Sequence, residues 1–214
     1  MHLTGALMNI LVIGSHPDDL EYGCGGTLIK LAKAGHNIFL LVMTRGEAGG
    51  HPGLRKKEQL KVSKILKAHL FWGNFSDTKI PITKKIINKI EFIIKKVNPT
   101  LIFVHYPEDT HQDHRNTSQA TATAARYIRN VLFYEVPTTI NFLPSVYTDI
   151  AATIQSKIIL LESHKSQVHS TRIAELSIIE SSKACALFRG FQNRTKYAEG
   201  FVPLKLALDF GLNL

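Results

Sequence analysis

The chain is short of several things, and each scarcity narrows what it can be. It has two cysteines in 214 residues, Cys24 and Cys185. They are far apart and form no metal or redox pair motif, so a disulfide scaffold, a thiolate metal site and a thiol nucleophile are all set aside. No apolar run is long enough to cross a bilayer, and the N-terminus lacks the basic flank and long apolar core of a secretory signal. A cytoplasmic protein with no membrane span is expected. Arginine-rich arms, zinc-finger spacings and interleaved aromatic and basic side chains are missing too. The net charge of +9 therefore reads as solvated helix faces, its lysines spread over 56–67, 84–96 and 157–165, and nucleic acid is not an expected partner. A dinucleotide fingerprint also fails. After Gly23, Gly25 and Gly26 a third glycine would fall on Leu28, and the turn before them is long and acidic where a pyrophosphate must approach.

What the chain does have is alternation. The β-branched run from Asn9 to Gly14 has the character of a strand buried on both faces of a parallel sheet. A helix from Gly25 to Gly35 follows, then strands at 37–44, 69–72, 100–105 and 131–136, separated by helices at 55–68, 82–97 and 116–129. Val62, Ile65 and Leu66 are assigned to the core, as is the series Ile82, Ile86, Ile87, Ile90, Ile93, Ile94 and Val97. The last third is less regular, with helices at 153–163 and 171–188 and a returning strand at 197–208. The pattern predicts an α/β fold, a Rossmann-like three-layer sandwich with a mostly parallel central sheet. A single domain covers 8–214, and residues 1–7, ahead of the second methionine, are an N-terminal extension.

Two stretches concentrate chemistry. Ser15-His16-Pro17-Asp18-Asp19-Leu20-Glu21 follows the first strand, and Tyr106-Pro-Glu-Asp-Thr-His111-Gln-Asp113-His114 follows the fourth. Open α/β sheets bind ligands beyond strand carboxyl ends. Taken alone, the first stretch is equally a helix start, with Asp18 or Asp19 as N-cap and Glu21 favouring the helix dipole. Taken together, the two supply imidazole and carboxylate ligands for a catalytic metal with one position left for water. Zinc is the default ion for that donor set, and Fe2+ also suits it. His105 reads as a structural strand-end histidine, and His51, His164 and His169 as surface residues. Arg45 and Arg55 are candidates for substrate hydroxyls or a phosphate, with a surface ion pair as the alternative for each. Tyr197 either reaches the site from the tail or sits in an edge strand.

The His16-Pro17-Asp18-Asp19 turn with Gly25-Gly26-Thr27-Leu28, and the later His111-Gln112-Asp113-His114, resemble the paired signatures of the LmbE/PIG-L family of zinc-dependent N-acetylglucosaminyl deacetylases. Thr44-Arg45-Gly46-Glu47, the Arg55 to Glu58 spacing and Tyr197-Ala198-Glu199-Gly200-Phe201 are similar to that family as well, so the likeness spans nearly the whole chain. The bacillithiol-type branch is similar in length. The resemblance implies that His16, Asp19 and His114 hold the metal and that Asp18 is the general base toward the attacking water. His111 would stabilise the oxyanion and protonate the leaving amine, with Asp113 fixing its tautomer and favouring its charged form. The partner implied is a small N-acetylated sugar, and a homo-oligomer is expected. One departure stands out: Glu108 and Asp109 are acidic where several relatives carry an aromatic or basic residue, which bears on the substrate. Two rival classes are a nucleotide-binding module on the same fold, which needs the glycine fingerprint, and a nucleic-acid-associated protein, which needs a contiguous basic face.

Overall fold

Strands with no polar face must be covered on both sides, and the sheet is built that way. The computed structural model describes residues 7–207; most of the expected N-terminal extension and the last residue of the expected returning strand lie outside them. Strands β1 (Asn9–Gly14), β2 (Asn37–Val42), β3 (His69–Trp72), β4 (Leu101–His105) and β5 (Val131–Tyr134) run parallel in the order β3-β2-β1-β4-β5. The sheet continues with β7 (Ala198–Lys205), antiparallel to β5, and ends on β6 (Val146–Asp149). Alternate residues of β1 feed two cores. Ile10 and Val12 pack with Leu20 and Leu28 of α1 (Asp19–Lys33), Val62 of α2 (Pro52–Ile65), and Leu160 and Leu161 of α5 (Ile154–Glu162). On the other face Leu11 and Ile13 pack with Ile86, Ile90 and Ile93 of α3 (Lys84–Val97) and Ala120 and Ala124 of α4 (Gln112–Ala124). The result is a single three-layer domain.

Helix α1 starts at Asp19 rather than Gly25, but it is broken at Cys24 (φ −146°, ψ 17°), so a second helical segment does begin beside Gly25. The break frees backbone donors, and the protein supplies its own anion there. Buried Glu199 accepts from the N–H groups of Gly26 (2.9 Å) and Thr27 (2.7 Å) and from Lys157 Nζ (2.6 Å). A helix start that could bind a phosphate is thus filled by a carboxylate from β7. Gly23 is required for packing, because a Cβ there would collide with the Tyr134 ring.

Several expectations are corrected. Ile65 and Ile82 are exposed: the first faces out from the end of α2, and the second precedes α3. The last helix, α6 (Ile178–Gln192), begins only at Ile178, where Ser177 and Glu180 form a capping box; 171–177 is irregular. Lys157 and His164, assigned to solvated surface, are both buried.

Candidate metal centre and active site

Strand order reverses between β1 and β4, so the connections leaving their carboxyl ends diverge and open a crevice. His16, Pro17, Asp18 and Asp19 leave β1 into this crevice. His105 ends β4, and 106–111 leads on to the N-terminus of α4, where His114 lies in the first turn. Both dense patches of the sequence therefore meet at one edge. A cavity of about 500 Å³ opens there, lined among others by His16, Asp18, Asp19, Arg55, His111 and His114.

His16 Nδ1 lies 3.2 Å from His114 Nε2 and 3.4 Å from Asp19 Oδ2, and His114 Nε2 is 3.5 Å from Asp19 Oδ1. Zinc bonds to nitrogen and oxygen of 2.0–2.1 Å in tetrahedral array place neighbouring ligand atoms about 3.3 Å apart, so the spacing fits a small divalent ion. The opposite ring nitrogens are already engaged. His16 Nε2 faces Asp77 Oδ1 (2.9 Å) and Asp113 Oδ2 (3.3 Å), and His114 Nδ1 faces Asp109 Oδ2 (3.1 Å). Each imidazole is oriented by an outer carboxylate, as metal-ligating histidines are. Other groupings of potential ligands overlap this one: His16 with His111 and His114, Asp19 with His105 and His114, and His16 with Asp77 and Asp113. Asp77 and Asp113 are occupied by His16 Nε2 and by backbone donors. His105 Nε2 lies 3.1 Å from Asp19 Oδ2. His16, Asp19 and His114 are thus the best-placed set.

The charges follow from burial and neighbours. Burial pushes the Asp19 carboxyl up, but the imidazoles of His114 and His105 more than offset it and hold the group well below the ordinary carboxylate range. His16 is burdened by burial yet raised well above a normal imidazole by hydrogen bonds to Asp113 and Asp19. His105, fully buried and stacked on His114 with ring centroids 4.1 Å apart, is pushed down to about 4 by burial and then by His114. The carboxylates crowded around these rings favour positive charge at this spot.

Asp18 diverges from Asp19. It is the N-cap residue of α1, in the left-handed region at φ 96°, and makes no side-chain cap hydrogen bond. Its carboxylate stays 22 % exposed at the cavity, 3.4 Å from Arg55 Nη2. Burial pushes it up to about 6, with Arg55 pulling the other way and Asp19 adding to the rise.

His111 is the N-cap of α4, and its Nδ1 accepts from the Asp113 N–H at 3.2 Å. In the neutral ring this puts the proton on Nε2. Asp113 thus sets the tautomer of His111 through its backbone. Its carboxylate is turned to His16 and to the N–H groups of Thr78 (2.7 Å) and Ile80 (3.1 Å). The expected charged state does not follow either: burial, His114 and His16 lower the pKa of His111.

The three residues expected to bind substrate are placed very differently. Arg55 lines the cavity, but its guanidinium donates to the carbonyls of Gly46 and Pro17 at 2.8 Å each and so braces the Asp18 turn. Arg45 is exposed and outside the cavity lining. Tyr197 packs on the satellite cluster of Ile150, Ile154 and Ala186, also away from the cavity. Two residues of the site escaped the sequence. Asp77 sits in the connection after β3, where nothing local marks it. Asp109 lay in the acidic departure ascribed to substrate, and instead accepts from the His111 N–H (2.8 Å) and faces His114.

Fold and geometry together give an α/β protein with a candidate metal-binding cluster of His and Asp side chains at the carboxyl edge of its sheet. The chain belongs to the PIG-L family (GlcNAc-PI de-N-acetylase), which it matches over residues 11–125. It is 36% identical over 167 residues to the uncharacterized deacetylase YaiS of Escherichia coli strain K12, covering 73% of this chain and 90% of that one. It is 29% identical over 230 residues to the diacetylchitobiose deacetylase of Thermococcus kodakarensis, covering 91% and 83%. The crystal structure of a conserved protein from Thermus thermophilus superposes with a TM-score of 0.85 at 26% identity, covering 97% of this chain and 100% of that one.

Proposed function

We propose that this protein is a metal-dependent deacetylase that hydrolyses the N-acetyl group of an N-acetylglucosamine-type sugar, releasing acetate and a free amine. The observation that carries the proposal is the convergence of His16, Asp19 and His114 at 3.2–3.5 Å beside a carboxylate, Asp18, that no ligand position uses. A bound ion, zinc by default, supplies Lewis acidity, polarising the acetyl carbonyl and making water a better nucleophile at neutral pH. Asp18 takes a proton from the attacking water, a task suited to a carboxylate whose affinity for protons has been raised by burial. His111 presents Nε2–H to the developing oxyanion, and the proton that Asp18 has taken from water passes to the nitrogen as the C–N bond breaks. Asp77, Asp113 and Asp109 hold the two ligand imidazoles, and Arg55 holds the Asp18 turn.

No described helix is long and apolar enough to cross a membrane. In this reading the enzyme works in the cytoplasm as a homo-oligomer, which the exposed Leu187, Phe188 and Phe191 on α6 support. The test is a metal assay of purified protein combined with amine release from N-acetylglucosamine, N,N'-diacetylchitobiose and anionic N-acetylglucosaminides. About one ion per chain with chelator-sensitive turnover is expected. Metal-free protein that binds nucleotide tightly would favour the rival module.

A further inference from the structure

His164 follows α5 and is almost completely buried, although nothing in the proposed chemistry uses it. Its Nε2 lies 3.2 Å from Oε2 of Glu21, itself fully buried in the first turn of α1, an ion-pair contact without hydrogen-bond alignment. The other Glu21 oxygen accepts from Gln59 Nε2 at 2.9 Å, one turn along α2 from Arg55. Two residues after His164, Ser166 donates its N–H (2.8 Å) and its hydroxyl (2.7 Å) to buried Glu58, also on α2. The chain leaving α5 therefore meets buried carboxylates twice, by an ion-pair contact to α1 and by two hydrogen bonds to α2, the helices that carry Asp18 and Arg55.

Directly beyond these anchors, Gln167, Ser170 and Arg172 line the cavity. Gln167 Nε2 reaches across to Gly49 O at 3.3 Å, joining this wall to the loop after β2. None of the three has a part in holding the ion or moving protons. They are polar groups of the lining available to contact the substrate beyond its acetamide. A cavity of about 500 Å³ belongs to the size class that encloses a ligand larger than one sugar ring.

A buried charged pair is a poor source of stability, because desolvation offsets its attraction, so its value lies in specifying one arrangement. We propose that His164 is a positioning residue: paired with Glu21, and backed by the Glu58–Ser166 anchor, it fixes residues 166–172 as the wall that binds the portion of the substrate beyond the acetamido sugar. Burial disfavours charge on this imidazole, yet Glu21, Asp18 and Glu58 together hold its pKa above the ordinary value, which favours the paired state. The inference rests on the deacetylase reading for its kinetic arm and is independent of it for its structural arm.

The experiment compares wild type, His164→Ala, His164→Gln and Ser166→Ala as zinc-loaded enzymes on N-acetylglucosamine and N,N'-diacetylchitobiose. Amide hydrogen exchange is read in parallel on the same proteins. For the disaccharide, KM should rise about tenfold in His164→Ala, with kcat within about twofold and metal content unchanged, while the monosaccharide is affected less than about threefold. Ser166→Ala should move KM the same way by less. Exchange should rise over 164–172 and stay unchanged over 16–24. Equal losses on both sugars, a fall confined to kcat, or unchanged exchange at 164–172 would each overturn the proposal. If wild type hydrolyses neither sugar nor an anionic N-acetylglucosaminide, the deacetylase reading fails, and the exchange data still decide whether His164 anchors the wall.

Discussion

Replacing Glu199 with alanine tests whether the broken helix α1 depends on a carboxylate from the far end of the chain. Glu199 is buried and has three donors: the N–H groups of Gly26 and Thr27 and the Lys157 ammonium. Its removal strands a buried Lys157, for which breaking a buried pair costs about 3–5 kcal/mol. The two helix-start donors add about 1–3 kcal/mol each if left dry. These terms overlap, since Lys157 Nζ also donates to Tyr22 O at 2.5 Å and water can enter the space vacated. A net loss of about 4 kcal/mol is expected. For a chain of this size it corresponds to roughly 8–16 °C in Tm. Lys157→Met should cost less than half as much, because Glu199 keeps both backbone donors and the positive end of a helix dipole. The assay is thermal unfolding followed by circular dichroism at fixed zinc concentration, since an ion bound to the folded state alone shifts the midpoint. A loss below about 1 kcal/mol for Glu199→Ala, or a larger loss for Lys157→Met, would refute the capping argument.

Three other outcomes are expected. Asp18→Asn should retain its ion while kcat falls by about 10²- to 10⁴-fold, whereas Asp19→Asn should lose the ion; metal content and turnover measured together decide it, and an exchange of the two phenotypes would overturn the assignment. Asp109→Asn takes the negative charge from behind His114, so metal affinity measured by chelator competition should weaken about 10- to 100-fold, with unchanged affinity counting against the outer-carboxylate role. Gly23→Ala drives a methyl into the Tyr134 ring, and chemical denaturation should show a loss of about 1–3 kcal/mol; a neutral substitution would mean that α1 shifts freely at its break.

The sheet was legible because its strands are short, apolar and evenly separated by helical patterns, and the site because two dense polar patches follow β1 and β4. Most of what escaped depends on partners distant in sequence. Lys157 and His164 look like solvated helix charges until Glu199 and Glu21 are brought beside them, and each partner is distant in sequence. Asp77 is similar: only the parallel pairing of β3 with β2 carries the turn after Trp72 to the crevice. The start of α6 is hidden because 171–177 contains ordinary helix formers, and the boundary is set by the Ser177–Glu180 capping box. Arg55 was visible as a site residue, but its contacts are backbone carbonyls, and a sequence does not reveal which carbonyls an arginine will meet.

Asp18 and Asp19 show how a backbone angle divides two chemically identical neighbours. Pro17 fixes its own φ, and Asp19 Oδ2 accepts from the His16 N–H at 2.7 Å, closing a turn that aims Asp19 at the imidazoles. Continuing into α1 from that turn puts Asp18 at φ 96°, a conformation that costs a residue with a side chain about 1–3 kcal/mol. Arg55 offsets that cost by gripping Pro17 O and approaching Asp18 Oδ1, while the Tyr22 N–H donates to Asp18 O at 3.0 Å and starts the helix. The flip turns the Asp18 side chain out of line with Asp19 and leaves it at the cavity, where the proposed mechanism needs a base and not a ligand. Asparagine tolerates the left-handed region better than most residues. Asp18→Asn therefore removes the proton acceptor and leaves the turn intact, whereas Asp18→Ala would mix lost chemistry with a strained backbone.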